Sequence, residues 1–169
     1  MGMVKQGAEA AGRSIDESYH TASLSNAVVL RAGETLRDDR VINAAGSFVV
    51  ALIHFIYEIY EHTHNEEMIP EAMHDIWEEY RDHVDKMEMP VEKRFRQVHE
   101  GHCTFHPEAE RRFITPEMIE SSILVGSAGE IAEKVRKAEA SGLKEISLMP
   151  PMAVFRQSMQ DFTEVMKLL

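Results

Sequence analysis

Cysteine is almost absent. Cys103 is the single one in 169 residues, which excludes an intramolecular disulfide and points to a reducing compartment. Basic residues are also in short supply: 18 Lys and Arg stand against 29 Asp and Glu, for a net charge of −11. A phosphate backbone needs a basic face, so this balance excludes a general nucleic-acid binder. No apolar run reaches the length needed to span a bilayer, about 20 residues. The greasiest stretch, FVVALIHFIYEIY from Phe48 to Tyr60, is shorter and carries His54 and Glu58. The first residues, MGMVKQGAEAAGR, hold no apolar segment of a signal peptide and no Ser or Thr at the sixth position for myristoylation. The chain has neither an internal repeat nor a low-complexity tract. These absences set the expectation of a soluble, cytoplasmic protein that contacts neither nucleic acid nor membrane.

What is present suffices for one domain-sized core, at 44% hydrophobic residues. Residues 3–11 read as the end of a helix broken at Gly12. TASLSNAVVL, Thr21 to Leu30, is an apolar run bounded by polar residues and Gly33, which suits a buried strand. From Ser47 to about His62 the pattern is a helix apolar nearly all round, which is buried on most sides or sits in a subunit interface. From Pro70 to Met87, Met73, Ile76, Trp77, Tyr80, Val84 and Met87 fall at spacings of three and four, with acids on the other face and Pro70 in the first turn. A short helix from Val91 to about His99 is expected to bury Val91, Phe95 and Val98.

The stretch ILVGSAGEIAEKVRKAEASGLKEISLMP, Ile123 to Pro150, reads as strand, helix and strand. Leu124 and Val125 end a short strand. Ser127 and Glu130 form a capping box. Ile131, Val135 and Ala138 make an apolar stripe, and Gly142 closes the helix. Ile146 and Leu148 alternate with Ser147 up to Pro150 and Pro151. A final helix from about Phe155 to Leu169 is expected to bury Phe155, Met159, Phe162 and Met166.

Alternation of strands and helices implies a parallel sheet. The credible strands lie near 22–30, 123–125 and 143–149, which leaves two raw sheet edges. A complete (β/α)8 barrel takes at least about 200 residues. The expected fold is therefore α/β, a partial (β/α)8 TIM barrel made of its C-terminal strands and helices, with a helical insertion over about 47–100.

Several patterns carry potential chemistry. Glu61–His64 and Glu71–His74 have the Glu-x-x-His spacing of di-iron bundles. Acids and histidines at this density also produce that spacing by chance, and Pro70 separates the pairs. HEGH, His99 to His102, lacks the i, i+4 histidine spacing of a zincin, and Gly101 interrupts it. The wider segment VHEGHCTFHPEAERRFIT, Val98 to Thr115, gathers His, Cys, aromatic and Arg residues in an irregular connection, as loops on a barrel's catalytic rim do. Cys103 reads as a small buried hydrophobe more readily than as a nucleophile. LVGSAG, Leu124 to Gly129, could present backbone amides at a helix N-terminus to a phosphate.

Taken together, AEAAGRSIDESYHTASLSNAVVLRAGE (Ala8 to Glu34), the 98–115 segment, the 123–150 segment and the closing FTEVMKLL resemble the C-terminal half of the luciferase-like flavin-dependent oxidoreductases. The nearest branch is the methylenetetrahydromethanopterin-reductase-like one. The resemblance implies that residues 1–169 are the C-terminal part of a (β/α)8 barrel that uses FMN or the deazaflavin coenzyme F(420). The implied reactions are hydride transfer to or from the cofactor ring, or monooxygenation of a small organic substrate, often in a homodimer. The early strands, and the segment that holds the family's cofactor phosphate, have no counterpart in these residues. The partner is then a second copy or the N-terminal half of the barrel. His99 and His102 are expected to face substrate or cofactor, and this reading assigns no metal ligand. Two alternatives remain: a helical metal-carboxylate protein using Glu61, His64, Glu71 and His74, or a non-enzymatic dimerisation module built on Phe48 to Tyr60.

Overall fold

The computed structural model describes residues 2–16 and 18–169. In chain order it comprises α1 (Gly2–Ala10), β1 (Ala22–Ser25), β2 (Ala27–Val29), α2 (Asp39–Thr63), α3 (His74–Asp85), α4 (Phe95–Val98), α5 (Pro116–Ser122), β3 (Leu124–Gly126), α6 (Ala128–Ala140), β4 (Glu145–Leu148) and α7 (Phe155–Met166). It is a mixed α/β fold, mostly helical, and its four short strands pair in parallel. The predicted strands are thus present, near their expected positions and with the expected sense.

β1 pairs with β4, Ala22 opposite Glu145 through Ser25 opposite Leu148. β2 pairs with β3, Ala27 opposite Leu124 through Val29 opposite Gly126. The carbonyls of Ser25 and Asn26 accept from Met149 and Leu124 respectively. Neighbouring carbonyls of an extended chain point to opposite edges, so β3 and β4 flank the 22–29 segment. Three consecutive barrel strands would instead place β3 in the middle, and the described residues show two two-stranded sheets. The break between β1 and β2 falls at Asn26, whose buried side chain donates to the Ala44 carbonyl at 2.7 Å and accepts from the Ala27 amide. That residue fastens the strands to α2.

α2 begins eight residues earlier than the expected Ser47 and runs for 25 residues. Its polar first turn extends the apolar run, making it long and apolar enough to cross a membrane by length and composition, with half of its most apolar window buried. Val41, Val49, Val50, Ile53 and Ile56 pack there with Met73, Ile76, Trp77, Tyr80 and Val84 of the following helix, as that helix's spacing predicts. The Phe48–Tyr60 run is thereby spent largely inside the chain's own core, and Phe55 is its exposed apolar side chain.

Two expected stripes differ. Residues 91–98 form a 3-10 turn and a single α-turn rather than one helix, so only Val98 faces inward while Val91 and Phe95 are exposed. In α7 the fully buried residue is Val165, which packs against Ile131 and Ala132 of α6; Phe155, Met159 and Met166 are exposed. Those side chains lie on the other face. Met159, Phe162 and Met166 line an apolar groove of about 860 Å³ with Leu143, Ile146 and Leu148.

Candidate functional site

The irregular 98–115 connection docks against the middle of α2. Gly46 permits that approach: a Cβ there would lie 2.5 Å from His106 Nδ1 and 2.8 Å from Ile114 Cδ1. Near the end of the connection, Glu108–Phe113 winds as a 3-10 helix, in which residues three apart share a face. Glu110 and Phe113 accordingly turn inward and are buried. Arg111 and Arg112 turn outward, Arg111 to Asn43 and Asp39, Arg112 to Glu79 at 2.7 Å. These outer contacts hold Glu110 under the helix.

Glu110 is received by His54, itself fully buried on α2, with Nε2 to Oε2 at 3.0 Å. With Glu110 as a carboxylate, which only accepts, His54 Nε2 is the donor of this bond. His83 Nε2 lies 3.6 Å from the other Glu110 oxygen. Burial lowers the pKa of His83, against the raising effect of Glu110. Burial raises that of Tyr80, with Glu110 the next contributor. The remaining nitrogen of His54, Nδ1, is buried and has no hydrogen-bond partner, and neither has the Tyr80 hydroxyl.

One turn along α2, Glu58 accepts from His99 Nε2 at 2.7 Å. Residues four apart share a helical face, so His54 and Glu58 confront the connection together. His99 leaves its Nδ1 facing Nδ1 of His102 at 3.2 Å. The rings pack edge to face, with centroids 5.4 Å apart for His54 and His99 and 5.0 Å for His99 and His102. A tight hook sets this geometry. Gly101 and Cys103 both take left-handed backbone conformations, φ 76° and 58°, and amides 104 and 105 bond back to the Gly101 carbonyl. Any Cβ at Gly101 would meet Phe105, backbone included, at 2.7 Å. Burial lowers the pKa of His102, and His99 and His54 push it the same way. It lowers that of His106 too, and raises that of the Cys103 thiol.

The structure thus brings His99 and His102 together, and adds His54, Glu58 and Glu110, which the sequence reading assigned no role. A signal existed: His54 and Glu58 are the ionisable residues of an otherwise apolar run, and a buried polar group demands a partner. The cluster lies in the helical layer. Asn26 anchors β2 at Ala44, ten residues before His54, or about 15 Å along the helix axis.

Among the described residues, Glu61, His64, Glu71 and His74, the ligand set of the alternative metal reading, are not gathered around one point. His64 leaves α2 in a left-handed conformation, φ 49°, and His74 bonds the Ile69 carbonyl at the start of α3. Among the described residues, the group of His, Cys, Asp and Glu ligand atoms within reach of one ion is His54, His99 and His102, all within 4.8 Å of one another. At the helix start in LVGSAG two of the amides that could meet a phosphate, or lie beside one, are already taken. The Ser127 amide donates to Glu130 Oε2 at 2.7 Å, and the Glu130 amide donates to the Ser127 hydroxyl at 3.3 Å. The predicted capping box therefore places a carboxylate where an anion would sit, and the Ser127 hydrogen bonds hold the Glu130 pKa below its ordinary value.

No protein-family model, curated protein or solved structure matches the chain.

Proposed function

We propose that this chain is the C-terminal part of a luciferase-like (β/α)8 barrel, with residues 47–100 as a helical insertion. The barrel would use FMN or coenzyme F(420) for hydride transfer or oxygenation of a small organic substrate. The observation that supports this reading most is the incompleteness of the strand region. β4, α6 and α7 border an open apolar groove of about 860 Å³, and among the described residues β4 pairs on one edge only. Exposed strand edges and apolar faces of this kind are ordinarily covered by further structure. The strand order departs from that of a barrel, where β3 would lie between the 22–29 segment and β4. In a barrel the 22–29 segment has an earlier strand on one edge and β3 on the other. Here β4 takes the edge that the earlier strand would occupy.

The described residues do not fit the cofactor by themselves. The helix N-terminus beside β3 is closed by Glu130, and the His99–His102 pair lies in the insertion. The cofactor supplies the redox chemistry in such enzymes, and this part supplies closure of the scaffold. Its partner is a second copy or the barrel's N-terminal half, in the cytoplasm. The test is a flavin titration of this chain alone and of the chain extended by whatever in-frame sequence lies upstream. The expected result is no saturation at micromolar FMN or F(420) for the chain alone and one equivalent for the extended protein. Micromolar flavin affinity of the isolated monomer would overturn the partial-barrel reading. An extended protein that binds no flavin would overturn the oxidoreductase reading.

A further inference from the structure

The histidine cluster is built in the manner of a metal site, independently of the oxidoreductase reading. Metal-bound histidines typically hand their second nitrogen to a carboxylate, which fixes the tautomer and raises ligand basicity. His54 does so to Glu110 at 3.0 Å and His99 to Glu58 at 2.7 Å, each through Nε2. Both rings thereby direct a bare Nδ1 to the other side. At His54 that atom is buried with no partner, an unfavourable state unless something is bound there. At His99 it faces Nδ1 of His102 at 3.2 Å. Two imidazole nitrogens on a tetrahedral Zn2+ at about 2.1 Å stand about 3.4 Å apart.

We propose that His54, His99 and His102 bind one divalent transition-metal ion, Zn2+ or an ion of like preference, through their Nδ1 atoms. His54 enters from α2, and His99 and His102 from the hook at Gly101. One ring nitrogen from each histidine already lies within 4.8 Å of one from each of the others. Closing on the ion shortens the His54 separations and replaces the His99–His102 hydrogen bond with two metal bonds. His102 is exposed, so the fourth position opens to solvent and takes water, the arrangement of a three-histidine site with one exchangeable ligand. Neutral imidazoles select Zn, Co, Ni or Cu over Mg or Ca.

The test uses the full chain, stripped with a chelator and titrated with Zn2+ in competition with a chromophoric chelator. A parallel titration with Co2+ follows its visible ligand-field bands. One equivalent should bind, with Co2+ giving the intense absorption of a tetrahedral site. His102→Ala, at the exposed side and so without effect on folding, should weaken Zn2+ binding about a hundredfold or more. Glu58→Gln should weaken it about ten- to a hundredfold. His62→Ala, exposed at the end of α2, should change nothing. Absence of stoichiometric binding would overturn the proposal. So would wild-type affinity in both His99→Ala and His102→Ala, or an equal loss in His62→Ala.

Discussion

The core around α2 buries Val41, Val49, Ile53, Met73, Tyr80, Val84 and Phe113, drawn from helices and turns that enclose it on every side. The core under α6 closes on Ile131, Ala132 and Val165, with Val29, Leu124, Val135 and Phe162 half-covered at its margin. Both regions contain apolar helix faces and short strands. They differ in whether apolar residues meet a partner within the chain. Around α2 buried polar groups also find partners, His54 Nε2 at Glu110 and Asn26 at the Ala44 carbonyl, although His54 Nδ1 and the Tyr80 hydroxyl do not. Along β4 and α7, Ile146, Met159 and Met166 border an open groove.

The comparison is sharpest in the response to cavities. Ile53 and Ile131 are both fully buried. Ile53→Ala leaves a hole in surroundings fixed from all sides and should cost about 4 kcal/mol. Ile131→Ala lies in a small cluster that can relax toward the groove and should cost about 2 kcal/mol. Urea denaturation of the two variants measures the difference. A larger loss at Ile131 would break the comparison.

The seam between the regions should respond to pH. Arg40 on α2 bonds Glu34 and the Val29 carbonyl, and approaches Asp161 of α7 at 3.8 Å. Its hydrogen bond holds the Glu34 carboxyl down to about 2, from an ordinary 4.5. A carboxyl lowered on folding stabilises the native state above its unfolded value, and that gain is lost as pH falls through the folded value. The side chains are 26% and 19% exposed, so solvent screening leaves only part of the shift as stability. Arg40→Met should cost about 1–2 kcal/mol near neutral pH. The difference from the wild type should narrow between about pH 4.5 and 2, leaving the pH-independent share of the Val29 bond. Denaturation midpoints across that range check it; a constant difference would assign the whole effect to packing.

Within the strand region, the capping box supplies order that packing does not. Ser127→Ala removes the hydroxyl that accepts from the Glu130 amide at 3.3 Å and should cost about 1 kcal/mol. Thermal melting reads this, and an unchanged midpoint would mean that α6 is held by its packing on α7 alone.

Local chemistry was the most legible part of the fold. The capping box, the stop at Gly142 and the three parallel strand positions are written in adjacent residues. The α3 stripe is equally plain, because its buried positions Ile76, Trp77, Tyr80 and Val84 recur at helical spacing. Strand order was not legible, since β4 has nothing in its own residues that prefers an edge of β1 to one of β3. The α7 stripe was read correctly as apolar but placed inside, because periodicity marks an apolar face without saying what covers it. At the site, His99 and His102 were singled out through their crowded loop. His54 and Glu110 lie 56 residues apart, and only the tertiary fold joins them.

The smallest effect should come from the groove. Met166 is 64% exposed, so Met166→Lys places a charge in water and should shift monomer stability by less than about 0.5 kcal/mol. The same substitution in the core around α2 would bury an unpaired charge. If α7 instead lies against a second copy in solution, Met166→Lys should lower the sedimentation coefficient and destabilise the protein in a concentration-dependent manner. A neutral result fixes the face as open in the isolated chain, which is the condition under which an additional part of a barrel can reach it. A concentration-dependent loss would instead identify a second copy as what covers it.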